Sequence, residues 1–101
     1  MAGWGIKHRF SNKRYKELID AWNPYMVVYI HYSTKHSTGT MKMSVKFFLE
    51  FNNRIIKLFK GCEILEITIR DDVNAVSHKI VFSLYDAWIY LLGQGENYRH
   101  E

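Results

Sequence analysis

Residues 41–51 alternate more strictly than any other stretch of the chain, and that alternation constrains the fold. Met41, Met43, Val45, Phe47, Leu49 and Phe51 are apolar. Between them stand Lys42, Ser44, Lys46 and Glu50, with Phe48 the one apolar exception. A period of two puts the first set on one side of a strand and the second on the other. Helical spacing would also gather Met41, Val45, Phe48, Leu49 and Phe51. It would leave Met43 and Phe47 among the polar residues. The pattern therefore predicts a strand over residues 41–51, with its lysines opposite its apolar side.

The flanking segments read around that strand. In residues 3–10, Trp4, Ile6, His8 and Phe10 alternate with Lys7 and Arg9, which predicts a first strand. Ser11 or Asn12 can cap a following helix, in which Tyr15, Leu18, Ile19 and Trp22 form one apolar stripe. Lys13, Arg14, Lys16 and Asp20 take its outer surface. Pro24 disfavours helical geometry at Asn23 and stops the helix there. Residues 25–32 are β-branched and aromatic and predict a strand. Met26, Val28, Ile30 and Tyr32 share one of its faces; Tyr25, Val27, Tyr29 and His31 share the other. Residues 33–40 are a polar hairpin loop.

Residues 52–61 admit a tight Asn52-Asn53 turn or a short helix capped by Asn53. In the helix, Ile55, Ile56 and Phe59 point inward and Gly61 ends it; the helix is the preferred reading. Residues 63–70 predict a strand with Leu65, Ile67 and Ile69 inward, and residues 71–76 a turn. Residues 78–83 predict a last strand with Ile80 and Phe82 inward. Ser83 and Asp86 have the spacing of a helix cap for residues 84–92. Gly93 is expected to stop that helix, leaving residues 93–101 as a polar tail.

The expected class is α+β: a single two-layer domain over residues 1–92, with an antiparallel sheet of four to five strands and two to three helices. The order β-α-β-β-(α)-β-β-α begins like the ferredoxin-like arrangement, with a strand and helix appended. Without the helix at 52–61 it would be a plain meander. Many activities use such folds, so the order implies none.

Composition narrows the setting. A chain of 101 residues predicts one domain, and 48% hydrophobic residues is too many for a disordered chain. Cys62 is the one cysteine, so no intrachain disulfide and no cysteine-based zinc site can form. A reducing, cytoplasmic compartment is expected. Residues 1–10 lack the apolar run of a signal peptide, and the apolar run at 87–92 is too short to cross a bilayer. Net charge is +4, unevenly spread. Residues 1–60 hold 11 Lys/Arg against 3 Asp/Glu; residues 61–101 hold 3 against 7. Such a chain can attract an anionic partner or pair with itself.

Residues able to carry chemistry are scattered. His8, His31, His36, His78 and His100 show no metal-ligand spacing, although His31 and His36 flank one loop. Cys62 reads as a small buried residue, and Asp71 and Asp72 as turn formers. Neither Gly3-Trp4-Gly5 nor Gly93-Gln94-Gly95 stands between a strand and a helix, as a phosphate loop requires. A non-enzymatic binding module with no cofactor and no metal is expected.

One constellation could recognise a partner. Tyr25, Tyr29, His31, Lys42, Lys46 and Phe48 would share the outward sheet face, joined by Lys7 and Arg9 of the first strand. Lys13, Arg14 and Lys16 would add cations from the first helix. Rings that stack on bases and cations that neutralise phosphates suit nucleic acid. A protein partner is the alternative, met through the aromatic face by a small inhibitor or adaptor, or by a homodimer. In size, aromatic content and lack of motifs the chain would also suit an accessory protein of a phage or other mobile element. A third possibility is that a helix covers this face, making Tyr25, Tyr29 and Phe48 core residues.

Overall fold

The computed structural model of the chain describes residues 12–100, with side-chain surroundings described for residues 13–93. The strand expected over residues 3–10, with Lys7 and Arg9, lies outside the described residues. In chain order the elements are α1 (Asn12–Asp20), β1 (Met26–Ser33), β2 (Thr38–Ser44), α2 (Val45–Glu50), α3 (Asn52–Leu58), β3 (Glu63–Asp71), β4 (Val76–Val81) and α4 (Leu84–His100). The four strands form one antiparallel sheet in the order β2-β1-β3-β4. Strand β1 is thus interior, paired on both sides. In the ferredoxin-like split arrangement the strand after the first helix would not hold that central place. The α+β class and the antiparallel sheet stand.

One face of the sheet carries the core. Met26, Val28 and Ile30 of β1 pair across from Met43, Met41, Ile69 and Ile67 and point the same way. Their buried side chains merge with the α1 stripe of Tyr15, Leu18, Ile19 and Trp22, and with Ala87, Trp88, Leu91 and Leu92 of α4. The helices therefore lie over this face, and alternation leaves Tyr29, His31 and Lys42 on the other.

The strand expected over residues 41–51 ends at Ser44. The Ser44 hydroxyl accepts the Phe47 backbone N–H at 3.1 Å, and its extended backbone (φ −67°, ψ 154°) caps α2. Beyond it, Val45, Phe48 and Leu49 recur at helical spacing and are all buried. Met41 and Met43 remain in the strand and pack against the core. Burying Phe48 required a change of period at Ser44, because on a continuing strand Phe48 would have faced outward with the lysines.

Three further expectations shift. On β4 the inward residue is Val81, paired with Ile67, whereas Ile80 and Phe82 are 49% and 66% exposed. Pairing with β3 sets that parity. It turns Lys79 inward at the sheet edge, where its ammonium reaches 5.7 Å from the Tyr90 ring centroid. On β3, His31 faces Glu66 while Tyr32 faces Ile64, so Leu65 is the extra residue of a bulge and is exposed rather than inward. Helix α4 runs past Gly93 to His100 instead of stopping at residue 92. Gly93 does not adopt the left-handed conformation that ends a helix. Gly61, at φ 88°, does adopt it, just beyond α3.

Candidate functional site

Two surfaces could meet a partner, and the first is the uncovered face of the sheet. Tyr29, His31, Thr40, Glu66, Thr68, Arg70, Ser77 and Ile80 line a shallow depression of ≈ 600 Å³. Lys42 stands beside Tyr29 by register. Its ammonium lies 2.7 Å from Asp72 and 5.6 Å from the Tyr29 ring centroid. The Tyr29 hydroxyl donates to the same carboxylate at 2.8 Å, and Arg70 Nε lies 3.8 Å from it. Hydrogen bonds from Lys42 and then Tyr29 hold the Asp72 carboxyl below its ordinary pKa, and the same bond to Asp72 raises that of Lys42. His31 Nδ1 is 2.9 Å from the Thr40 hydroxyl, and Thr68 donates to Glu66 at 3.1 Å.

The constellation expected on this face is only partly assembled. Tyr29, His31 and Lys42 share it, and Tyr25 is exposed just before β1. Phe48 is 1% exposed and belongs to the core. Lys46 sits half-buried on α2. Lys13, Arg14 and Lys16 are on α1, in the helix layer over the opposite side, where Lys16 pairs with Asp20 at 3.8 Å. Lys7 and Arg9 lie outside the described residues. Lys42 and Arg70 stand against the carboxylate of Asp72, with Glu66 on the same face.

The second surface lies on α2 and α3, and the sequence reading missed it. Phe47, Phe51, Arg54, Ile55 and Leu58 line a groove of ≈ 310 Å³. Ile55 is its buried floor, while Phe47 and Leu58 are 49% and 60% exposed. The Phe47 and Phe51 ring centroids are 4.7 Å apart and tilted by 47°. The Arg54 guanidinium lies over the Phe51 ring, 5.5 Å from its centroid. Phe51 N–H donates to the Phe47 carbonyl at 2.9 Å, and Ile55 N–H to the Phe51 carbonyl at 3.0 Å. These bonds carry one face across the α2–α3 junction. The signal was present as spacing: 47, 51, 55 and 58 form one helical stripe. It is hidden as long as residues 41–51 are read as one strand.

Among the described residues no three His, Cys, Asp or Glu side chains gather to hold a metal ion. Asp71 acts in the β3–β4 turn, accepting the Val73 and Asn74 backbone N–H groups and the Asn74 amide. Asp72 points elsewhere, to Lys42. Cys62 is half-buried. No described helix is long and apolar enough to cross a membrane. Comparison with protein-family models, with curated proteins and with solved structures finds no match.

Proposed function

We propose that the protein is a small non-catalytic module that binds another protein through the α2–α3 groove. The observation that carries this reading is the exposure of Phe47 and Leu58 on either side of a preformed hollow floored by Ile55. Leaving large apolar side chains in water forgoes stabilisation of about 1.5–3 kcal/mol for each one that a partner could fully bury. Contiguous exposed apolar surface of this kind, with aromatic residues and Arg, is the composition of interface cores. The lone Cys62 suits a reducing, cytoplasmic setting.

The nucleic-acid reading rests on Tyr29, His31 and Lys42 sharing an exposed face with Arg70. It is the weaker one. Asp72 engages Lys42 and approaches Arg70, and Glu66 adds a second negative charge. Cations already matched by carboxylates offer little to a phosphate backbone.

Selection from a library of helical peptides displayed against the protein tests the docking surface. The expected result is binders that Leu58→Glu abolishes and Lys42→Glu leaves intact. Binders indifferent to Leu58→Glu, or lost with Lys42→Glu, would refute the proposal. Leu58 is exposed, so the charge can be introduced there without entering the core.

A further inference from the structure

We infer that the occupant of the α2–α3 groove is an amphipathic helix whose apolar stripe is flanked by Asp and Glu. The inference rests on the groove being the docking surface proposed above, and it specifies the partner's shape and charge.

Shape comes from the spacing. Phe47, Phe51, Ile55 and Leu58 follow one another at intervals of four, four and three, with Arg54 beside Ile55 on the groove wall. A row of that period presents ridges and hollows that fit the i, i+3, i+4 and i+7 side chains of a second helix. Because the backbone bonds from Phe51 to Phe47 and from Ile55 to Phe51 bridge the junction, the row is continuous. It spans 11 residues of rise, roughly 16 Å, which is the length of about three helical turns. A concave hollow also favours an inserted side chain over a flat lipid surface.

Charge comes from the segment that forms the groove, with Arg54 in its lining. Residues 45–60 carry Lys46, Arg54, Lys57 and Lys60 against Glu50 alone. Among the described residues, the ion pairs join Lys16 to Asp20 and both Lys42 and Arg70 to Asp72, and none engages these four cations. Lys57, in the last turn of α3, also complements the helix dipole. Arg54 lies nearer the middle of the helix and serves no such role; its guanidinium is held over Phe51 at the groove wall. Acidic residues flanking a partner's apolar stripe would meet these cations without breaking an existing pair, and opposite charge would steer the encounter.

Three labelled peptides of about 18 residues test this. One has a Leu/Phe stripe and Glu elsewhere; the second replaces each Glu by Lys; the third scrambles the first. Each is titrated with the full chain by fluorescence anisotropy at about 50 mM and about 300 mM salt. The expected result is that the Glu peptide binds at least about tenfold more tightly than either control, that added salt weakens it, and that the double variant Arg54→Glu with Lys57→Glu reverses the preference. Equal binding of the Glu and Lys peptides, lost in Leu58→Glu, would overturn the acidic partner and leave the docking surface standing. Equal binding of the scrambled peptide would overturn the helical partner. Self-association abolished by Leu58→Glu, with no peptide bound, would make a second copy the occupant. Binding only to vesicles of phosphatidylcholine and phosphatidylserine, or to none of the probes, would overturn both this inference and the protein-binding reading.

Discussion

The Tyr15 hydroxyl donates to the Leu49 carbonyl oxygen at 2.7 Å, tying α1 to the last turn of α2 inside the core. The Tyr15 hydroxyl oxygen in turn accepts the Trp88 indole N–H at 3.1 Å, so three helices meet at one phenol. Buried polar groups hold their position because losing a partner is costly there. Tyr15→Phe removes both bonds and should lower stability by about 2–3 kcal/mol, read by urea unfolding. Burial raises the Tyr15 pKa above its ordinary 10.0. Its contribution is therefore complete below the unfolded-state pKa and is lost as pH rises through the higher folded one. The gap between wild type and Tyr15→Phe should narrow at strongly alkaline pH; a constant gap would contradict the assignment.

On the open sheet face, Asp72 should titrate below the ordinary value of 3.8 because Lys42 and Tyr29 bond its carboxylate. A depressed carboxyl pKa contributes stability that is present above the ordinary value and lost as pH falls through the folded one. Carboxyl carbon shifts followed by NMR should show the Asp72 midpoint moving up toward 3.8 in Lys42→Met. Part of the depression should persist through the Tyr29 hydroxyl. An unchanged midpoint would mean that the Lys42 contact is not held in solution.

Ser44 marks the change from strand to helix, and its hydroxyl accepts the Phe47 N–H. Ser44→Ala should cost about 1 kcal/mol in urea unfolding. No loss would show that packing of Phe48 and Leu49 alone starts α2.

Asn52 is 1% exposed, and neither of its side-chain polar atoms has a hydrogen-bond partner within the protein. Replacing it with Leu removes that buried polarity and should raise stability by about 1–2 kcal/mol. A lower unfolding midpoint in Asn52→Leu would show that the amide is satisfied in solution.

Much of the fold was legible because its signals were local. The α1 stripe of Tyr15, Leu18, Ile19 and Trp22 and the β1 face of Met26, Val28 and Ile30 follow directly from periodicity. The α3 helix and its Gly61 stop followed from composition and a single glycine. Residues 41–51 misled because Val45 and Leu49 satisfy both a strand and a helix. Phe48, the one residue that broke the alternation, was the clue to the change. The phase of β4 was not legible, since Ile80, Val81 and Phe82 are all apolar and only pairing with Ile67 chooses among them. Nor could adjacent acids reveal that Asp71 shapes a turn while Asp72 binds Lys42 across the sheet. That division arises from the register of β1 with β2 and β3. The groove was written in the spacing of Phe47, Phe51, Ile55 and Leu58, but became readable only once α2 was known to be a helix.

The docking surface is tested most directly by mapping amide chemical shifts while the Glu-bearing peptide is titrated into the full chain. The account predicts that the perturbed amides cluster between residues 46 and 60, with Tyr29, His31 and Lys42 unmoved. Perturbations concentrated on those three residues and Arg70, with α2 and α3 silent, would contradict it.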